Sequence, residues 1–251
     1  MARHLLLRFE APLMAFGREM VDARGPIRDF PAGSMLTGLL ANALGLDRRE
    51  RNAHQRLQNR LVVGSRLDDP GGLLRDFQTA QLAKSDTGWT TRGEAEGRAG
   101  GAGTYDSPHI RERDYLADAC LTVALRLNPD DENPNLDDIA TALREPVRPL
   151  FLGRKPCMPT TPLLLALVEA PTVLDALIAA PRPDRAATAQ PLRFALIGPA
   201  ADEAGNRLAR PESVALTDER NWLSGVHAGQ RRAVIGVIPD GASDASMDAA
   251  P

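Results

Sequence analysis

Cysteine is scarce in this chain of 251 residues, with Cys120 and Cys157 making up the whole complement. Two thiols cannot build the disulfide framework of a small secreted domain. Neither belongs to a C-x-x-C pair and no H-x-x-x-H spacing accompanies them, so a zinc site is not expected. Long apolar runs are missing too. Stretches such as Leu163 to Val168 fall far short of the ~20 residues that a membrane helix requires. No basic start followed by an apolar core and a cleavage site resembles a signal peptide, and the expected compartment is the cytoplasm. Gly100-Gly101-Ala102-Gly103 has neither the lysine nor the helix of a phosphate loop, which argues against nucleotide hydrolysis. Excess positive charge is absent as well. A formal net charge of −3 gives no global basic field, so any nucleic-acid site must be a local patch.

Hydrophobic residues at 43% and charged residues at 25% are ordinary for a soluble globular protein. The length suits one large domain or two small ones. Charge is segregated along the chain. Arg18, Arg24 and Arg28 lie together, as do Arg92 and Arg98, Arg111 and Arg113, and Arg154 with Lys155, while acidic residues gather at Asp130 to Asp138 and toward the C-terminal end.

The pattern of elements opens on a strand, His4 to Phe9, ended by Ala11-Pro12. Phe30 to Ser34 forms a turn with Ser34 as the expected N-cap, and Met35, Leu36, Leu39, Leu40, Ala43 and Leu44 predict a helix over about 35–44. Leu61 to Arg66 reads as a second strand. From Gln78 to Pro108 periodicity is lost among Gly88, Gly93, Gly97, Gly100, Gly101 and Gly103, which predicts a flexible insertion. Tyr115 to Leu127 has the clearest alternation and should be a central strand. Asn135 to Leu143 reads as a helix with an acidic start, stopped by Pro146, and Val147 to Leu152 as a returning strand. A short helix at Val173 to Ala179, an Ala/Pro-rich linker to Pro191 and strands at 192–197, 214–216 and 233–238 complete the order.

That order predicts an α+β, ferredoxin-like domain of the RNA-recognition-module type over residues 1–180, with a thumb inserted at about 78–112. A small β-rich C-terminal part at 190–240 and a disordered tail at 241–251 follow.

Several segments, in order, resemble the CasD family of type I-E CRISPR Cascade, part of the Cas-five group of repeat-associated RNA-binding proteins. Leu5-Leu6-Leu7-Arg8-Phe9-Glu10-Ala11-Pro12 with Ala15-Phe16-Gly17 is similar to the family's opening strand and loop, and Phe30-Pro31, Ser34, Gly38-Leu39-Leu40 and Ala43-Leu44-Gly45 to its first helix. Arg75-Asp76-Phe77-Gln78-Thr79 resembles the entry to its thumb, Arg113 to Ala119 the re-entry to the sheet, and Phe151-Leu152-Gly153-Arg154-Lys155-Pro156-Cys157 its glycine-basic loop. The matches cover roughly the first 165 residues; the last third matches loosely. The resemblance implies a noncatalytic subunit without cofactor or metal. It would cap one end of Cascade, grip the 5′ handle of the CRISPR RNA, and contact the repeated backbone subunit, the large subunit and other Cascade proteins. Target DNA would be met through the complex, and no membrane is involved.

RNA recognition needs cations for phosphates, close backbone approach, and flat groups on which bases stack. Gly153, Arg154 and Lys155 place two cations after a strand end, where glycine permits close backbone approach, against the simpler reading of a solvated turn. Alternation would put Arg111 and Arg113 on one strand face and Glu112 and Asp114 on the other, giving either an RNA hook or surface ion pairs. Arg24 and Arg28 precede the helix at Met35, whose first amides and Ser34 hydroxyl either hold an anion or simply cap the helix. Tyr115 belongs with this set by the resemblance, and Trp89 and Tyr105 are available for stacking or for anchoring a partner. The rival chemistry is metal-free cleavage of repeat RNA, for which His109, Lys84, Tyr105 and Tyr115 are the candidates.

Overall fold

The computed structural model describes residues 1–20, 22–81, 88–89, 95–96, 108–184, 191–217, 219–227 and 229–238. Strand β1 (Ala2–Glu10) is buried from His4 to Phe9 on both faces, which is why it reads as a continuous apolar run. The short strands β2 (Leu13–Met14), β3 (Phe16–Gly17), β4 (Arg24–Gly25) and β5 (Ile27–Arg28) lead to helix α1 (Gly33–Ala43). Helix α2 (Arg51–Arg60) runs directly into β6 (Leu61–Asp69), and a tight turn gives β7 (Gly72–Ala80). Two-residue strands β8 (Gly88–Trp89) and β9 (Ala95–Glu96) pair with each other before β10 (His109–Ala117) and β11 (Cys120–Leu127). Then come α3 (Leu136–Arg144), β12 (Leu164–Ala170), α4 (Val173–Ala179), β13 (Arg193–Ile197), α5 (Pro199–Ala204), β14 (Ala209–Leu216) and β15 (Arg231–Val237).

Seven strands form one sheet in the order β12-β1-β11-β6-β13-β15-β14, and every neighbouring pair is antiparallel. β1 and β6 therefore run parallel with β11 between them, joined through α1 and α2. β11 and β12 repeat the arrangement around β1 through α3. Alternate side chains of β1 feed two cores. Leu5, Leu7 and Phe9 pack with Leu36, Leu40, Ile139 and Leu143 of α1 and α3, whereas Leu6 packs with Leu174 and Leu177 of α4.

Buried polar groups tie α4 to the sheet. Arg66 of β6 donates to Asp68 Oδ1 at 2.6 Å, to the carbonyls of Leu177 at 2.5 Å and Ala180 at 2.8 Å, and to that of Pro181 at 3.2 Å. Thr122 donates its hydroxyl to the second oxygen of Asp68 at 2.5 Å. The guanidinium thus takes up carbonyls that the helix end leaves unpaired.

Three expectations change. Helix α1 starts at Gly33 with Ala32 in the cap position and no side-chain cap bond, so Ser34 lies inside the first turn and is not the N-cap. The segment from Tyr115 to Leu127 is two strands, because Asp118 turns the chain with φ of 55° and β10 departs into a second sheet with β2, β4 and β7. Residues 147–152 form no strand. They are held to the end of α1 by single bonds, Val147 N–H to Ala43 O at 3.0 Å and Asn42 Nδ2 to Pro149 O at 2.5 Å. Their place in the sheet goes to β12, which begins inside the apolar run at 163–168.

The α3 cap agrees with its sequence. Asn135 accepts from the amides of Asp137 and Asp138, and Asp138 accepts in return from the Asn135 amide. The insertion rests on a hairpin longer than its glycines suggested, with β7 paired to β10 from Ala80↔His109 to Gly72↔Ala117. Its middle, apart from β8 and β9, lies outside the described residues, as do 185–190 of the linker and the tail from 239. Strands β13, β15 and β14 extend the main sheet from β6. Among the described residues, no helix is long and apolar enough to cross a membrane.

Candidate nucleic-acid interface

Asp114 organises the base of the β7–β10 ribbon. Its buried carboxylate accepts from Arg75 Nε at 2.9 Å and from an Arg24 terminal nitrogen at 3.0 Å. Burial pushes its pKa up, but the bonds from Arg75 and Arg24 prevail and hold it below the ordinary carboxylate range. Glu112 lies 3.6 Å from the same Arg75. Acid therefore occupies one face of β10, and the alternation sets Arg111 and Arg113 on the other. Arg111 is exposed and, among the described residues, donates only to the Ile110 carbonyl at 2.9 Å, while Arg113 reaches Gln78 Oε1 at 3.2 Å.

The 153–155 loop packs onto this base. Gly153 has φ of +104°, and a Cβ there would lie 2.0 Å from the Ala15 carbonyl oxygen, so only glycine permits the approach. Arg154 donates to the backbone carbonyls of Asp114 at 2.9 Å and Gly25 at 3.3 Å, and its guanidinium carbon lies 4.7 Å from the Tyr115 ring centroid. Tyr115 is buried in the core, so it supports Arg154 and offers no open ring to a base. Lys155 next to it is exposed.

A cleft of about 640 Å³ joins distant stretches of the chain. Arg18, Arg28, Ser34, Gly153 and Arg154 line one part of it. Thr217, Arg220, Trp222 and His227 line the rest. Arg28 is engaged there, donating to the Gly17 carbonyl at 2.9 Å and to Glu19 at 2.6 Å. Glu19 is held below the ordinary range, first by the Thr217 hydroxyl at 2.6 Å and further by Arg28 and Arg18, against an opposing contribution from burial. Sequence reasoning brought Arg28, Ser34, Gly153 and Arg154 into view but not that they meet. Arg24, Arg111, Arg113 and Lys155 lie outside the cleft lining.

It also missed the far wall. Arg220 and Trp222 lie far along the chain from Arg18, Arg28 and Ser34, and no periodicity or motif marks that loop. The only signal was the indole beside an arginine.

For RNA cleavage, His109 and Tyr115 stand six residues apart on β10, which at ~3.3 Å per residue separates them by roughly 20 Å. Lys84 and Tyr105 lie outside the described residues.

A family model described as CRISPR-associated protein (Cas_Cas5) matches residues 4–234. The CRISPR system Cascade subunit CasD of Escherichia coli (strain K12) is 30% identical over 178 residues, which cover 71% of this chain and 77% of that protein. Among solved structures, a CRISPR RNA-guided surveillance complex has a chain that superposes with a TM-score of 0.61 at 27% identity, covering 94% of this chain and 91% of that one. A structure described as that of a Cas protein gives the same TM-score and identity, covering 94% and 95%. With a family match over most of its length, a curated relative at this identity and the same mixed fold around one large sheet, the chain belongs to the Cas5 family of CRISPR-associated proteins.

Proposed function

We propose that this chain is the noncatalytic RNA-holding subunit at one end of a type I-E Cascade, gripping the 5′ handle of the CRISPR RNA for RNA-guided targeting of DNA in antiviral defence. The observation that carries the reading is the arginine-lined cleft, where Arg28, Ser34, Gly153 and Arg154 converge although they come from separate segments. Arg24, Arg111, Arg113 and Lys155 extend the basic surface beside it, and Tyr115 contributes by seating Arg154. The relatives support the assembly, since one is named a Cascade subunit and another belongs to an RNA-guided surveillance complex. On this reading the chain works in the cytoplasm, contacts the backbone and large subunits, and meets target DNA only through base pairing by the guide.

The strand order β12-β1-β11-β6 with its two crossovers supports a ferredoxin-like domain. The β7–β10 hairpin would then be the root of a thumb that reaches a neighbouring subunit. Noncatalytic action is favoured by the wide spacing of His109 and Tyr115.

The purified chain, incubated with its own repeat-derived handle RNA in EDTA, should bind it and leave it intact. Co-expression with the other Cascade proteins should recover it in the complex. Site-specific cleavage lost in His109→Ala would replace this reading with a processing endoribonuclease.

A further inference from the structure

Four arginines line the cleft, and their partners divide them into two kinds. Arg28, with 10% of its side chain exposed, closes on Gly17 and Glu19, and Arg154 is tied to the carbonyls of Asp114 and Gly25. These two guanidiniums hold the protein's own chain. Arg18 is 62% exposed and comes no nearer to Glu19 than 3.8 Å. Among the described residues, Arg220 donates one long bond, 3.3 Å to the Gly225 carbonyl, and its buried Nε has no partner. Among the described residues, the Arg18 guanidinium and a terminal nitrogen of Arg220 therefore have donors left for a ligand.

Arg220 is also built as a flat support. Its guanidinium carbon lies 4.8 Å from the Trp222 ring centroid, and Trp222 is backed by the His54 ring at 4.7 Å and an interplanar angle of 33°. Helix α2 fixes this stack. Trp222 Nε1 donates to Gln58 Oε1 at 3.0 Å, Gln58 Nε2 donates to the Arg220 carbonyl at 2.8 Å, and the Trp222 amide donates to Gln55 Oε1 at 2.9 Å. The cost of ordering the loop falls on folding and not on binding. A planar guanidinium covered by indole on one side has its other face for a base, and Arg220 borders the cleft.

We infer that the Arg220–Trp222 stack seats one unpaired nucleotide of the RNA, with the base on Arg220 and a phosphate on Arg18. Glu19 selects a base bearing an exocyclic amine, such as adenine or cytosine, over uracil, the one RNA base without it. The inference rests on the proposed RNA-holding role of the cleft and assigns part of it to the C-terminal third of the chain. Glu19 accepts Arg28 and Thr217 on Oε1, while Oε2 stands 3.8 Å from Arg18 Nε and keeps lone-pair capacity for an amine, and an ionised carboxylate repels the carbonyl that uracil presents there. Ala15, Met20 and Met35 supply apolar lining for the base, and the volume suits a small polar ligand of this size.

The test is an anisotropy titration of the full-length protein with fluorescein-labelled oligoadenylate, oligocytidylate and oligouridylate at several salt concentrations. The parent should bind the first two severalfold more tightly than the third. Arg220→Ala should weaken oligoadenylate and oligocytidylate by about tenfold and erase the preference. Arg220→Lys, which keeps the charge and loses the plane, should retain the salt dependence but not the preference. Arg18→Ala should reduce the salt slope by about 0.7, one phosphate contact on a single strand. Glu19→Gln should narrow the gap between oligocytidylate and oligouridylate. Equal affinity for all three RNAs in the parent, or an Arg220→Lys protein indistinguishable from it, would sink the nucleotide seat while leaving RNA holding by the cleft intact. A parent that binds neither these RNAs nor handle RNA overturns both readings.

Discussion

Arg154 and Tyr115 form a stacked pair, guanidinium carbon to ring centroid 4.7 Å, on the boundary between the core and the cleft. The ring is buried and the arginine half-buried, so the cation is held where it can border a ligand site but not leave it. The same guanidinium bridges the carbonyls of Asp114 on β10 and Gly25 on β4.

Arg154→Ala should therefore lose stability as well as any RNA contact, by about 1–3 kcal/mol, since hydrogen bonds from a charged donor and a ring contact disappear together. Lys155→Ala should melt like the parent, because the side chain is exposed. Thermal denaturation of the two variants side by side checks this, and equal melting temperatures would show that the Arg154 contacts contribute nothing to the fold.

Gly153→Ala places a methyl group where the Ala15 carbonyl stands, at a backbone angle that side chains rarely adopt. A loss of at least 1–3 kcal/mol is expected, roughly the cost of forcing such a conformation. Urea denaturation gives the figure. An unchanged midpoint would mean that the loop moves away from Ala15 at no cost.

Asp114 carries an acid dependence whose sign follows from its partners. Arg75 and Arg24 depress its folded pKa below the unfolded value, which is about 3.9. The stabilisation is therefore present above about pH 4 and is lost as pH falls through the folded pKa. Asp114→Asn should be less stable than the parent at neutral pH, and the difference should shrink as the solution is acidified. Chemical denaturation at neutral pH and near pH 3 decides it, a constant difference being the contrary result.

Arg66 and Asp68 are almost wholly buried, at 1% and 0% side-chain exposure. Removing one partner strands the other, so Asp68→Asn should cost on the order of 3–5 kcal/mol. Replacing the pair by Met and Leu should cost less than the single change. A double variant as unstable as the sum of the two single ones would show that the groups do not act as a pair.

The sequence by itself determined the elements whose signal is local. The capping box at Asn135 and Asp138, the helix at Val173 to Ala179 and the strand from Leu121 to Leu127 each follow from residues a few positions apart, and so does the glycine of the 153–155 turn. The tertiary structure decided everything that depends on which backbone pairs with which. It alone chose 164–170 over 147–152 as the edge strand, because both are short apolar runs and only one has a free ladder beside β1. It turned Tyr115 inward, since β10 leaves the main sheet at Asp118. It also sorted the cleft arginines into those engaged by the protein and those left open, a distinction no spacing carries, because Thr217 reaches Glu19, and Gln55 and Gln58 fix Trp222 beneath Arg220, only after the C-terminal segment has packed against the rest of the chain.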